Sequence, residues 1–384
     1  MTGYYSIVWY FAGMAVILAV AASPLLRLAG SPPSAAAARA SCIDGLRGFL
    51  ALAVFFHHGA VYHNWLLHRV WAVPPSRFYT QLGQSGVAFF FMITGYLFWA
   101  RLLRAGGRRN FFSLYIGRLF RIGPLYLLSI VIMLGVVFHH TGLVMRVPRG
   151  VLLGQIGRWL ALGFFGNGPD VNAYPLTGTI IAAVAWSLQY EWWFYISLMA
   201  TSFLARLKSA HLGAVVLAFL ALCFLPIDPI TRLAIGSFLC GMATASLEQN
   251  GLLPSWPGWL DSLAILLLLT IDFREFATAF LTVPVLLMGL CFYLVVSGGA
   301  LFGLLTSRGA IRLGDISYGT YLLQGLVLRG VFDIPGIETF ALQSPLAYWC
   351  VLLAGAVVLI MVATITHVAI ERPGIALGKR LIKG

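Results

Sequence analysis

Apolar residues run in stretches of roughly 15–25 along nearly the whole chain, each close to the length of a helical membrane crossing. They lie near residues 5–28, 48–66, 85–101, 119–138, 184–205, 212–226, 230–247, 259–272, 276–298, 314–332 and 345–368. A hydrocarbon core about 30 Å thick takes about 20 residues per helical crossing, and lipid forbids unpaired backbone. The pattern therefore predicts an all-α polytopic membrane protein of about eleven transmembrane helices. The stretch 150–166 is shorter, is broken by glycines and runs into Gly166-Asn167-Gly168-Pro169-Asp170, which reads as an interfacial or re-entrant piece. The first run has its arginines after it rather than before it, so it reads as a retained helix and not a cleaved signal peptide. That divides the chain into an extra N-terminal helix (1–30), a linker (31–40, SPPSAAAARA) and a ten-span body (41–384).

Composition narrows the class. Of 384 residues 60% are hydrophobic and 10% charged, with a mean hydropathy of +0.91, which excludes a water-soluble globule. The formal charge of +13 would suggest nucleic acid in a soluble protein. Here the basic residues sit in loops beside apolar runs. Threading the helices alternately from an external N-terminus places roughly two-thirds of them on the side that holds the C-terminus, as the positive-inside rule requires of a cytoplasmic face. No nucleic-acid partner is expected; membrane lipid is. The five cysteines are odd in number and show no CxxC spacing, so neither a disulfide framework nor a metal site is expected.

Ionisable residues inside spans cost about 2.5–3.5 kcal/mol each on insertion scales, which makes them functional candidates. The second run begins Cys42-Ile43-Asp44-Gly45-Leu46-Arg47 and ends His57-His58. On a helix Arg47 and His58 differ by about 20° around the axis and about 16 Å along it, while Asp44 and Arg47 share a face at i, i+3. One face thus carries a carboxylate and a guanidinium at its cytoplasmic end and an imidazole midway. Arg118 and Arg121, at i, i+3 ahead of Pro124, can present two guanidinium forks to a phosphate. Glu191 lies among Trp186, Ser187, Tyr190, Trp192, Trp193 and Tyr195, placed by the threading at the external end of its span. An aromatic belt explains the rings but not the carboxylate. Ser317, Tyr321 and Gln324 form a polar stripe at i, i+4, i+7, beside Tyr318. Ile370-Glu371-Arg372-Pro373 reads as a helix stop at the cytoplasmic face.

The series IDGLRGFLALAVFFHH, GVAFFFMITGYLF, GRLFRIGP, WSLQYEWWFY, LGDISYGTYLLQ and IERP, in that order over residues 41–373, resembles the membrane-bound acyltransferase family three, whose members O-acylate cell-surface glycans, lipids and natural products. Six motifs in order are more specific than any one alone. The resemblance implies an acyl-coenzyme A donor, acetyl-coenzyme A in the simplest case, used from the cytoplasmic side of a bacterial inner membrane as co-substrate, with no tightly bound cofactor. It implies a carbohydrate or glycolipid acceptor reached from the other side. The family's arginine-to-histidine spacing falls on Arg47 and His58, its arginine pair on Arg118 and Arg121, and its tryptophan-to-glutamate motif on Trp186, Ser187 and Glu191. A histidine with an ordinary pKa of about 6.5 suits a general base at neutral pH, so His58 is expected as the base. Arg47, held by Asp44, joins Arg118 and Arg121 in binding the donor, and Glu191, Trp186, Ser187, Tyr318 and Tyr321 face the acceptor. The sequence departs from the family at Ala88, Thr94 and Gln324; the last stands where a histidine is usual and removes a candidate acid or base. No GxSxG elbow is present, and Cys42 is the only cysteine near the basic face, so an acyl-enzyme is not expected. A transporter of lipid-linked sugar or acyl groups is the competing class, although the matched interrupted helices of a transporter are not seen.

Overall fold

The computed structural model describes residues 2–24, 26, 38–108, 110–207, 210–254 and 256–383. Most of the 31–40 linker lies outside the described residues, as do Arg27, Arg109 and Lys208. The described chain is helical throughout, apart from turns and one isolated β-bridge. The helices are α1 (Ile7–Ala22), α2 (Ala38–His68), α3 (Arg77–Arg104), α4 (Phe111–His140), α5 (Arg149–Leu160), α6 (Trp186–Thr201), α7 (Ala210–Phe224), α8 (Pro229–Gln249), α9 (Gly258–Glu275) and α10 (Thr282–Ser297). They continue with α11 (Arg308–Asp315), α12 (Ser317–Phe332), α13 (Ile337–Ala341), α14 (Pro345–Thr366) and α15 (Arg372–Lys383). Every apolar run of the sequence has its helix. Among the described residues α3, α4, α8 and the continuous rod 345–382 are long and apolar enough to cross a membrane; α1, α7 and α10 are apolar but shorter. The protein is an integral membrane protein.

Local signals place the helix starts. Ser76, Asn110, Asp228, Ser307 and Ser344 accept a hydrogen bond from the backbone N–H three residues on, with Pro229 and Pro345 opening α8 and α14. The end of α14 differs from the sequence expectation. Glu371-Arg372-Pro373 does not stop the helix: residues His367–Glu371 form one π turn and the rod runs on as α15. Pro373 lies inside this rod, two residues past the π turn, so the N–H it lacks falls where the regular i to i−4 pattern is already interrupted.

Two close approaches set the frame of the site. The short α11 lies against the first turns of α2, where a Cβ on Gly314 would stand 1.9 Å from the Asp44 carbonyl and one on Gly45 1.7 Å from the Leu305 carbonyl. Both obstacles are backbone, so neither contact relaxes by a side-chain rotation. Gly314→Ala is expected to lower stability by at least about 3 kcal/mol, at or above the usual cost of overpacking. Gly135→Ala, on α4 with nothing within 4 Å of its Cβ, should be neutral or better. Thermal melting of the two variants in detergent, followed by size-exclusion chromatography, reads the difference; equal melting would sink the packing argument.

The second approach brings irregular backbone into the bundle. A Cβ on Gly325 of α12 would come within 2.2 Å of the Ala182 backbone nitrogen. The segment before α6 therefore lies against the middle of α12. Val171, Asn172, Thr177, Ile180, Ile181 and Ala182 are buried in it. It is held by side-chain hydrogen bonds, as non-helical backbone at membrane depth must be. Asn172 donates to Thr141 Oγ1 (3.0 Å) and the Val144 carbonyl (2.8 Å) and accepts from the Arg146 N–H (2.7 Å). The Thr177 N–H donates to Asp170 (2.9 Å). Asn172, Ala173, Leu176, Ala182 and Ala183 all have φ between 54° and 57°, a strain of about 1–3 kcal/mol each that the surrounding contacts impose. The sequence read 150–166 as an interfacial or re-entrant piece and not a span; most of it is the 12-residue α5, about 18 Å long and so too short to cross, with Val151 and Leu153 exposed, while the inward irregular backbone comes after it.

Candidate active site

Because α6 starts only after this inward segment, Trp186 and Glu191 do not sit at the far end of a span. Glu191 opens onto the same cavity as Asp44 and Arg47, which is a correction to the external position read from the sequence. The cavity measures about 330 Å³ and is set among α2, α3, α4, α6 and α12. Arg47, Arg101, Arg118 and Arg121 line it against the carboxylates of Asp44 and Glu191, over a floor that includes Phe90, Phe91 and Phe98. Four guanidinium groups against two carboxylates leave a positive excess in a partly desolvated space, which favours an anionic ligand.

Each charge has a local support. Arg47 pairs with Asp44 at 3.6 Å across one helical turn. Arg118 lies over the ring of Phe98 at 4.7 Å and that of Tyr195 at 5.7 Å, so its plane is fixed by stacking. Tyr195 donates to Glu191 Oε2 at 2.9 Å. Tyr318 donates to the Ile122 carbonyl at 2.8 Å and ties α12 to α4. Farther in, Ser187 Oγ and Tyr321 Oη are 2.8 Å apart, and each also reaches the Val184 carbonyl. Trp186 does not line the cavity; its ring packs against Phe91 and Tyr190 one layer behind. Cys42 is buried and also stands outside the lining.

His58 is not in the cavity wall either. Its Nδ1 is 3.0 Å from the Val54 carbonyl and 3.2 Å from Gln324 Oε1. Gln324 in turn donates from Nε2 to the Tyr321 carbonyl at 2.8 Å, which fixes its oxygen toward the imidazole. Both partners of Nδ1 are acceptors, so the proton is on Nδ1 and the lone pair is on Nε2. The neutral ring is thereby poised to accept a proton, with Trp71 stacked 6.3 Å away.

Sequence reading missed Arg101, assigned to topology, and Tyr195, assigned to the aromatic belt; the i, i+4 spacing of Glu191 and Tyr195 was the available signal. It also missed Glu371. That residue is buried, with Oε2 3.3 Å from His367 Nδ1 and Oε1 without a hydrogen-bond partner.

The sequence profile of one family, described as an acyltransferase domain and corresponding to the membrane-bound acyltransferase family three, matches residues 41–365. The chain belongs to that family. No curated protein and no solved structure matches it. Membership makes the protein an acyltransferase, and the profile begins within the first turn of α2, leaving α1 outside it.

Proposed function

We propose that the protein is an O-acyltransferase that moves an acyl group, acetyl in the simplest case, from acyl-coenzyme A to a hydroxyl of a cell-surface carbohydrate or glycolipid. The observation that carries this reading is the arginine cavity reaching inward to Ser187 and Tyr321, one helical turn from the Gln324 that holds His58. Arg47, Arg118 and Arg121 take the donor's phosphates; Asp44, Glu191 and Tyr195 keep those guanidinium groups in place. Glu191 is thereby reassigned from acceptor to donor side, because it lies among the arginines. The acceptor hydroxyl gives its proton to His58 Nε2 as its oxygen attacks the thioester carbonyl. The tetrahedral intermediate then expels the coenzyme A thiolate, which takes that proton from His58. The two hydroxyl protons of Ser187 and Tyr321 are shared between each other and the Val184 carbonyl, and one of them, turning away from that carbonyl, would donate to the developing oxyanion.

In this reading the cavity end of the bundle is cytoplasmic, the chain crosses a bacterial inner membrane eleven times, and α1 is an added helix on a ten-span body. A transporter of acyl groups is the alternative, favoured only by the intramembrane charges themselves. Membrane vesicles given acetyl-labelled coenzyme A separate the two. Release of free coenzyme A thiol with label on a carbohydrate is expected; label crossing the vesicle with no thiol released would overturn the enzyme.

A further inference from the structure

The first helix, which lies outside the family profile, is fastened along the flank of α2. At its leading end Tyr5 Oη is 2.9 Å from His63 Nδ1 of α2, and Tyr79 donates to the Ser6 carbonyl at 2.9 Å. Midway, a Cβ on Gly13 would stand 2.9 Å from the Phe56 ring. At its trailing end α1 meets α11, where a Cβ on Gly309 would come within 2.6 Å of the Leu18 carbonyl. The 16 residues of α1 rise about 24 Å, as does α2 from Arg47 to His63, so α1 flanks the part of α2 that carries both Arg47 and His58.

The link between α1 and the donor end of α2 is α11. Gly309 abuts the backbone of α1, and Gly314 abuts the carbonyl of Asp44. Five residues apart, these glycines face about 140° from one another, so α11 is held between the two helices. Both contacts are backbone to backbone, which leaves no side-chain slack between α1 and Asp44. Arg312 closes the arrangement. Its Nη1 donates to the Ala21 carbonyl at 2.9 Å and to the Ser23 carbonyl at 2.7 Å. Carbonyls at a helix C-terminus have no partner within the helix and carry the negative end of its dipole, so a guanidinium satisfies both needs. An arginine that served topology alone would extend into water; this one turns inward and leaves its Nε buried without a hydrogen-bond partner.

We propose that Arg312 is a positioning residue for the donor. By clamping α11 to the end of α1 it sets the place of Asp44, and through the 3.6 Å ion pair the direction of Arg47. Arg312 does not itself line the arginine cavity, so it acts only through α11. A guanidinium that grips phosphate must be held within about 0.5 Å of its working position, which a rigid backbone contact supplies and a mobile one does not. The inference rests on the reading of Arg47 as a donor-binding residue.

The test follows thiol release by the full-length protein in nanodiscs, with acetyl-coenzyme A and with the phosphate-free acetyl thioester of N-acetylcysteamine. Arg312→Met keeps the apolar stem and removes the donors. It should raise the KM for acetyl-coenzyme A about ten-fold, keep kcat within about two-fold and leave the small donor unaffected. Arg312→Gln retains one N–H donor group, should give a smaller rise, and serves if Arg312→Met does not fold. Gly309→Ala keeps the charge but wedges α1 from α11, and should repeat the shift.

Cys42 gives a readout that needs no donor. It is buried on the α2 face shared with Gly45, one turn on, and its thiol should label about five-fold faster in Arg312→Met than in the wild type. An equal loss with both donors, or a rise in KM that a folded Gly309→Ala does not share, would overturn the positioning role. Faster Cys42 labelling in a protein whose wild type releases no thiol from acetyl-coenzyme A would leave the clamp standing and sink the donor reading. Thiol release by the wild type, with labelling and KM both unchanged in Arg312→Met, would do the reverse.

Discussion

His58→Ala is expected to lower kcat for acyl transfer by about 10²–10⁴, the usual contribution of a general base, while changing the donor KM little. The imidazole stands apart from the arginine cavity, so its loss removes proton acceptance without touching the donor's phosphates. Gln324→Ala gives the contrast. It deletes one acceptor for Nδ1–H but leaves the Val54 carbonyl at 3.0 Å, so the tautomer with a free Nε2 survives. Its loss of kcat should stay within about ten-fold, since one neutral hydrogen bond is worth about 0.5–1.5 kcal/mol. Single-turnover thiol release in nanodiscs measures both. If the two variants fell equally, His58 would be a packing residue like Gln324 and the base would have to be sought elsewhere.

The helices were legible because lipid allows so few alternatives. An apolar run of about 20 residues can satisfy its backbone only as a helix, and the run on α4, from Leu119 to Phe138, could be read directly. What escaped was structure whose stability comes from particular side chains instead of periodicity. The inward segment before α6 stays at depth through Asn172, Thr177 and Asp170, a scatter of polar residues that reads as an ordinary loop. Missing it moved Glu191 to the wrong end of the protein, since the starting depth of α6 depends on it. The short α11, Arg-Gly-Ala-Ile-Arg-Leu-Gly-Asp, is too polar to register as a span, yet it is what fixes Asp44 and Arg47.

The site divides in the same way. Arg47 and His58 were found by helical arithmetic, and the structure keeps both on α2 as one unbroken helix. Arg118 and Arg121 were found as an unusual pair at a helix start, and they do share a cavity with Arg47. Arg101 was lost among its neighbours because a loop rich in arginine is explained by topology alone; only the packing of the helices distinguishes the guanidinium that borders the cavity. Gln324 stood out as a departure from the family, but its contact with His58 spans 266 residues of sequence and needed the fold.

Arg47→Ala is expected to raise the KM for acetyl-coenzyme A by about 10–100-fold, since a charge-assisted hydrogen bond to phosphate is worth about 1.5–3 kcal/mol. Stability should hardly change. The Asp44–Arg47 pair is 3.6 Å long, and the Asp44 side chain is 39% exposed, so the orphaned carboxylate remains hydrated. The decisive comparison is with a donor that has no phosphate, the acetyl thioester of N-acetylcysteamine. The wild type should favour acetyl-coenzyme A strongly over it, and Arg47→Ala should erase most of that preference by weakening only the larger donor. Arg47→Lys should recover part of the affinity and not all, because an ammonium keeps the charge but not the planar fork that grips two oxygens at once. Raised salt should weaken the wild-type preference in the same direction. A variant that lost both donors equally would show that Arg47 serves the thioester or the fold, and the anionic partner would have to be assigned to Arg118 and Arg121 alone.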